Sequence, residues 1–299
     1  MCWCGTGAQY NCGESLMLFT KITILGAGTM GHGIAQVCAM AGYAVCLTDQ
    51  SQGQLETAMR KIESNLQKGL EKGKVSRETY ELAKKNLETH VDLAVAVQGA
   101  ELVIEAIPEN LELKQRLFRI IDENTAAHTI LATNTSSLSV EDIASVVSNP
   151  SKVIGLHFFN PVHIMKLLEI VYHPNTGNDV TATCERFAET IGKESILVKN
   201  TPGFATSRLG VAIGMEAIRM LEEGVASAAD IDKAMVLGYR HPIGPLKLTD
   251  MVGLDVRLAI GEYLAKELGN PAFEPPKLLR SLVEQGKLGK KSKEGFYRY

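Results

Sequence analysis

Residues 155–170, GLHFFNPVHIMKLLEI, are largely apolar, yet they carry His157, with a carboxylate, Glu169, twelve residues further on. An imidazole changes charge near neutral pH. A carboxylate on one ring nitrogen fixes its tautomer and favours the imidazolium, which leaves the other nitrogen to exchange a proton with a substrate. Residue type alone does not establish this, because a lone histidine in an apolar run is more often a hydrogen-bonded core residue. The chemistry depends on the backbone. If 152–159 (KVIGLHFF) and 166–172 (KLLEIVY) are strands that pair antiparallel through the HFFNPV turn, Glu169 returns beside His157. Asn160 falls just past the first of these strands.

A second group of residues suits a dinucleotide. Lys21–Leu25 (KITIL) reads as a strand and ends in GAGTMG, so that Gly26, Gly28 and Gly31 form G-x-G-x-x-G, with Thr29 and Met30 inside the turn. Ile34, Val37, Cys38 and Ala41 follow at helical spacing, and AVCLTD (44–49) is a second strand ending in Asp49. In that context the glycines permit a tight turn, close approach of the backbone to a pyrophosphate, and close helix–strand packing, while the helix N-terminus faces the phosphates. Asp49 is placed to accept hydrogen bonds from the adenine ribose. Its charge repels a 2′-phosphate and Gln50-Ser51-Gln52 supplies no arginine, so the cofactor is NAD rather than NADP. NTSSL (134–138) begins where the strand TILATN ends, so Ser136 and Ser137 would face the nicotinamide. A nicotinamide cofactor beside a histidine–carboxylate pair is what removal of a hydride and a proton from an alcohol requires.

The elements that must hold these residues make an α/β fold. ELVIEAI (101–107), TILATN, 152–159, 166–172 and SILVK (195–199) are strand-like. The near-continuous apolar character of 101–107 suits a parallel strand covered on both faces. A charge-laced helix is expected over about 52–74, and Leu113, Leu117, Ile120 and Ile121 mark another. After Asn200-Thr201-Pro202-Gly203 only helical patterns follow. The expected organisation is a Rossmann-type doubly wound sheet over 20–200 followed by an all-helical domain over 201–299, with 1–19 as a disordered leader. The leader carries Cys2, Cys4 and Cys12, a poor metal set without a fourth ligand, so no metal is expected. It has neither the basic and apolar parts of a secretory signal nor the arginines of a transit peptide, which points to a reducing cytoplasmic setting. Composition is ordinary for a globular protein, with 45% apolar and 22% charged residues. A net charge of -3 offers nothing to nucleic acid, and no apolar run is long enough to span a bilayer.

Taken together and in order, GAGTMG, NTSSL, GLHFFNPV…MKLLE, TPGF…R and the closing GKKSKEGFYRY resemble the 3-hydroxyacyl-CoA dehydrogenase family over residues 20–299, and by size its stand-alone bacterial members that act on 3-hydroxybutyryl-CoA. The resemblance implies NAD-dependent, reversible oxidation of a short L-3-hydroxyacyl-CoA, with acyl-CoA as substrate and a homodimer as the assembly. It implies that His157 is the base, Glu169 its orienting carboxylate, and Ser136 a contact to the reacting oxygen. It further implies that Asn160, Glu109, Lys114 and Lys291 meet the cofactor. Lys72 matches a residue that holds the CoA nucleotide, and the family's neighbouring serine falls on Asn65. For Glu109 and Lys114 alone, the residues would otherwise read as a helix N-terminal acid and a solvated lysine.

Two departures stand out. TPGFATSR places Ser207 where the family pattern has an asparagine that helps hold substrate and histidine; serine offers the same hydrogen bonding with shorter reach. Arg240, in GYRHPIGP, stands on a loop expected over the acyl end and reads either as a surface arginine or as the receptor of a carboxylated tail, as in 3-hydroxyadipyl-CoA. Two rivals remain: a dehydrogenase of the same superfamily acting on a free hydroxy acid, and an NAD-binding protein without activity. Val211, Ile213, Met215, Ile218, Met220 and Leu221 are expected at the dimer interface.

Overall fold

The computed structural model describes residues 17–299, so the expectations for Cys2, Cys4, Cys12 and the leader up to residue 16 lie outside the described residues, while Phe19 at the leader's end is buried in the hydrophobic core. The chain runs β1 (Lys21–Leu25), α1 (Gly31–Met40), β2 (Ala44–Thr48), α2 (Gln52–Glu71), α3 (Arg77–Lys85), β3 (Leu87–His90), α4 (Leu93–Val97) and β4 (Leu102–Glu105). It continues through α5 (Leu111–Asn124), β5 (Ile130–Thr133), α6 (Val140–Ala144), β6 (Val153–Phe158), β7 (Leu167–Tyr172), α7 (Asn178–Thr190) and β8 (Glu194–Lys199). Five helices follow: α8 (Thr206–Glu222), α9 (Ala228–Gly238), α10 (Pro245–Val252), α11 (Leu254–Leu268) and α12 (Lys277–Glu284).

The strands form one sheet in the order β3-β2-β1-β4-β5-β6-β7-β8. Neighbours are parallel except β6 and β7, which are antiparallel. Helices cover both faces, so strand residues of either parity are buried. Ile22, Ile24, Leu102 and Ile104 enter one core, while Leu25 and Val103 enter the other. The same alternation sorts β6 and β7. Ile154, Leu156, Phe158, Leu168 and Ile170 pack in the first core. Val153 and Val171 pack in the second, and His157 and Glu169, of the same parity, point with them. Phe204, from the connection into α8, closes that second core.

Three sequence expectations are corrected. The helix predicted to Lys74 ends at Glu71, because Lys72 caps it and Gly73 turns the chain at φ 63°. The strand β3 was not foreseen: LETH is polar and half-exposed, and it is held as an edge only by pairing with β2. The helical domain has its own core. Val211, Met215 and Ile218 are fully buried within it, so they cannot present themselves to another chain. Along that helix the core-facing stripe and the exposed stripe are both apolar, and residue type does not separate them.

Candidate active site

The antiparallel ladder sets His157 directly opposite Glu169. Nδ1 of the imidazole lies 2.6 Å from Oε2 of the carboxylate. A carboxylate only accepts, so Nδ1 donates and Nε2 is left to accept; Nε2 has no protein partner among the described residues. Glu169 is completely buried, and four donors saturate it. Oε2 also accepts from the Thr206 hydroxyl at 2.8 Å, and Oε1 accepts from the backbone N–H groups of Ala205 at 3.1 Å and Thr206 at 2.9 Å. Burial pushes this carboxyl up, but His157 and the Thr206 donors outweigh it and hold it below the ordinary range. The Phe159 and Phe204 rings stand 4.5 and 5.8 Å from the imidazole, which keeps the pair in an apolar wall.

Thr206, the residue that ties the helical domain to Glu169, was missed in the sequence. Ser207, its neighbour, is half-buried in the first turn of α8 and makes no hydrogen bond to His157 or Glu169 among the described residues, so the anchoring expected of position 207 falls to Thr206. A buried carboxylate needs donors, and the start of a helix supplies unpaired N–H groups and here a hydroxyl, but nothing in the sequence places Glu169 beneath them. Because Glu169 titrates below its unfolded value, its stabilisation is present above the ordinary carboxylate range and is lost as pH falls through the lowered value. Thr206→Val should therefore cost about 1.5–3 kcal/mol at neutral pH. That cost should shrink at a pH below the lowered value, where Glu169 is protonated in both states. Urea unfolding at the two pH values measures this, and a cost independent of pH would exclude Glu169 as the partner that matters.

The glycine turn has the shape a pyrophosphate needs. Gly26 adopts φ 98°, and a Cβ there would sit 2.8 Å from the Ala106 carbonyl oxygen. A Cβ on Gly31 would sit 1.7 Å from the Gly26 carbonyl oxygen. Around Gly28 nothing lies within 4 Å of that position, so the backbone is open to a ligand. No side chain caps the N-terminus of α1, where His32 N donates to the Gly28 carbonyl and the N–H groups of Gly31 and Gly33 remain for phosphate, with Thr29 and Met30 in the turn before it. Asp49 follows β2 and braces the loop, accepting from Ala27 N at 2.9 Å and Ser51 N at 3.0 Å. The residues present therefore fit a dinucleotide.

Beyond β4 lies a buried network. Lys114 is 1% exposed, not solvated, and its Nζ lies 2.6 Å from Glu105 and 3.4 Å from Glu109. Glu105 accepts also from the Thr133 hydroxyl at 2.7 Å and Ile107 N at 2.7 Å. Glu109 accepts from the Thr135 hydroxyl at 2.6 Å, Ser136 N at 3.0 Å and Ser137 N at 3.1 Å, so it shapes the loop that carries Ser136. Burial would raise the Glu109 carboxyl, yet Lys114 and these hydroxyl and amide donors bring it below its ordinary value. Asn134, also unforeseen, accepts from Phe158 N at 2.8 Å and locks this loop to the His157 strand. Asn160 is exposed at the end of β6.

Other expected residues stand farther from this cluster. Lys72 is exposed at the C-cap of α2, in line with two further exposed lysines on that helix, Lys61 and Lys68. Asn65 shares the stripe, but its amide donates to Gln36 of α1 at 3.2 Å, so it is spent inside the fold. Lys291 is engaged within the helical domain, 2.6 Å from Asp255 Oδ2. Arg240 is exposed in the turn after α9, at φ 58°. Cys46, Glu88 and His90 cluster at the β2–β3 edge. Burial pushes the Cys46 thiol up to about 11, which opposes the thiolate a metal would need, and Lys21 lies 3.7 Å from Glu88.

Comparison with known proteins gives a consistent result. Residues 21–201 match the model of the 3-hydroxyacyl-CoA dehydrogenase NAD binding domain, and residues 203–299 that of its C-terminal domain. The chain is 43% identical to the mitochondrial hydroxyacyl-coenzyme A dehydrogenase of Rattus norvegicus, over 95% of this chain and 92% of that protein. It is 40% identical to the 3-hydroxybutyryl-CoA dehydrogenase of Clostridioides difficile, over 93% of this chain and 99% of that one. The crystal structure of (S)-3-hydroxybutyryl-CoA dehydrogenase from Ralstonia eutropha superposes with a TM-score of 0.91 at 38% identity, covering 94% of this chain and 99% of that chain.

Proposed function

We infer the reaction from the premise that this chain belongs to the 3-hydroxyacyl-CoA dehydrogenase family, whose members are NAD-dependent oxidoreductases. NAD, when bound, supplies the hydride acceptor. His157 takes the proton of the substrate's 3-hydroxyl on Nε2 as the C3–H bond is broken, and returns it in the reverse reaction. Glu169 stays ionised, fixes the tautomer and stabilises the imidazolium. Ser136 holds the reacting oxygen, and Glu109 holds Ser136. Gly26, Gly28, Gly31 and Asp49 seat the dinucleotide. The observation that carries this reading is the 2.6 Å contact between His157 and a carboxylate that four donors hold in place. Residues 20–200 act as the NAD-binding unit and 201–299 as the helical substrate unit.

The substrate is a short 3-hydroxyacyl thioester of CoA, and the exposed α2 lysines support the CoA nucleotide. NADH oxidation with acetoacetyl-CoA and with free acetoacetate tests this. Replacing Lys61, Lys68 and Lys72 together by alanine should raise the KM for the thioester about tenfold and leave that for a free acid unchanged. Equal effects on both would favour a free hydroxy acid.

A second copy of this chain is the proposed partner. It would cover the apolar face left by α8 and α9, where Leu209, Leu237 and Tyr239 are 64%, 70% and 76% exposed beside a cavity of about 480 Å³ lined by Ile213, Met235 and Tyr239. Light scattering should give twice the chain mass, and Leu237→Asp should give the single mass. No helix among the described residues is long and apolar enough to cross a membrane. Three buried free thiols, Cys38, Cys46 and Cys184, suit the proposed cytoplasmic setting, which cell fractionation checks.

A further inference from the structure

Arg257 stands in the first turn of α11 and is 5% exposed. Among the described residues no carboxylate lies within ion-pair distance of it, its guanidinium makes no hydrogen bond, and its Nε is buried without a partner. Desolvation brings the guanidinium down to about 10, in the direction expected of a cation buried without a counter-charge. A guanidinium in this state still keeps its proton at neutral pH, so the fold carries an uncompensated buried cation.

The surroundings are shaped to admit it. A Cβ at Gly214 of α8 would meet Arg257 Nε at 3.6 Å and Cδ at 3.8 Å, and one at Gly210 would meet Nη1 at 3.6 Å. The side chain therefore lies along α8 and runs from Gly214 toward Gly210, that is, toward the helix N-terminus. Glycine inside a helix costs stability, and here two of them on one face leave a trough for a long side chain. Ser207 is on that same face, one turn beyond Gly210, and Thr206 beside it binds Glu169. The arginine and the positive end of the α8 dipole thus both bear on the end of the helix where His157 works.

We propose that Arg257 receives a carboxylate at the far end of the substrate's acyl chain, so that the enzyme prefers short dicarboxylic acyl thioesters over plain ones. This deepens the function proposed above and rests on it. An acyl chain whose 3-oxygen meets His157 and Ser136 would pass over the short side chain of Ser207 and end beside the guanidinium that lies in the trough. There a planar carboxylate can accept two bonds from the fork of the guanidinium. Arg240, exposed in its turn, has no such desolvated setting.

The test compares two six-carbon 3-oxoacyl thioesters of CoA, one ending in a carboxylate and one in a methyl group, in NADH oxidation by wild type, Arg257→Met and Arg257→Lys. A site built around a buried polar group discriminates strongly against the analogue that leaves it unpaired. Wild type should favour the carboxylated thioester about 100-fold in kcat/KM, methionine should bring the ratio near one, and lysine should retain part of it. A wild-type ratio near one, or a ratio unchanged in Arg257→Met, overturns the proposal. Should Arg257→Met fail to fold, the wild type decides: free adipate competing with the carboxylated thioester supports the site, and absence of competition overturns it. Turnover of neither thioester by wild type instead defeats the underlying function, and this proposal with it.

Discussion

His157→Gln is expected to lower kcat/KM for acetoacetyl-CoA about 10³-fold while leaving NADH affinity unchanged. Glutamine fills much of the imidazole's volume, and its amide N–H can still donate to Glu169, so the packing between Phe159 and Phe204 survives. What is lost is a group able to give and take a proton near neutral pH. In the direction of ketone reduction the forming alkoxide then has no acid at Nε2, and Ser136 alone supplies a hydrogen bond. The dinucleotide cradle is built from other residues, Gly26 through Gly31 and Asp49, and does not depend on the imidazole. Steady-state NADH oxidation gives kcat/KM and fluorescence titration gives the NADH affinity. A loss below tenfold would mean that His157 is a core histidine satisfied by a buried carboxylate and that another group moves the proton.

That alternative is the ordinary reading of a histidine in GLHFFNPV, and the ordered family motifs rather than the strand pairing weigh against it. Two apolar runs joined by a turn containing Asn160-Pro161 predict an antiparallel pair, and the period of two then fixes which residues share a face. The ladder does pair His157 with Glu169, so this part of the site was legible in one dimension. The glycine turn was legible for a similar reason: the positive φ of Gly26 and the approach of Gly31 to the Gly26 carbonyl oxygen arise inside one strand–turn–helix unit, although Gly26 also packs against Ala106 beyond β4.

Interactions that cross between elements were not legible. Lys114 reads as a solvated helix lysine because nothing near it in sequence shows that Glu105, at the end of an apolar strand, lies beneath it. Thr206 looks like any helix-start threonine until β7 brings Glu169 under it. The edge strand β3 is too polar to announce itself. The helical domain's apolar residues divide between its own core and its exposed face, and Met215 differs from Leu209 only in where the other helices happen to pack.

The buried network beyond β4 carries the largest expected cost in stability. Lys114→Met should destabilise the protein by about 3–5 kcal/mol at neutral pH, since it removes one partner from a buried pair and leaves the other behind. The carboxylate left behind is Glu105, which is completely buried and whose pKa desolvation raises even with Lys114 2.6 Å away. Without the ammonium the pKa rises further. A carboxyl raised in the folded state is favourable below its unfolded value and loses that advantage as pH climbs through the folded value. The deficit of Lys114→Met relative to wild type should therefore be smallest near the ordinary carboxylate range and grow toward pH 8. Lys114→Met with Glu105→Gln removes both charges, and should recover much of the loss because the amide oxygen still accepts from Ile107 N while its NH2 can donate to the Thr133 hydroxyl oxygen. Activity should not recover with it. Glu109 loses the cation 3.4 Å away in both variants, so the carboxylate that gathers Thr135, Ser136 and Ser137 is held less firmly and the serine proposed to meet the substrate oxygen gains mobility. Urea unfolding at pH 5 and 8 with parallel kinetics separates the two roles. A double variant less stable than Lys114→Met would show that the pair contributes net stability; one restored in both stability and rate would show that Lys114 serves the core alone.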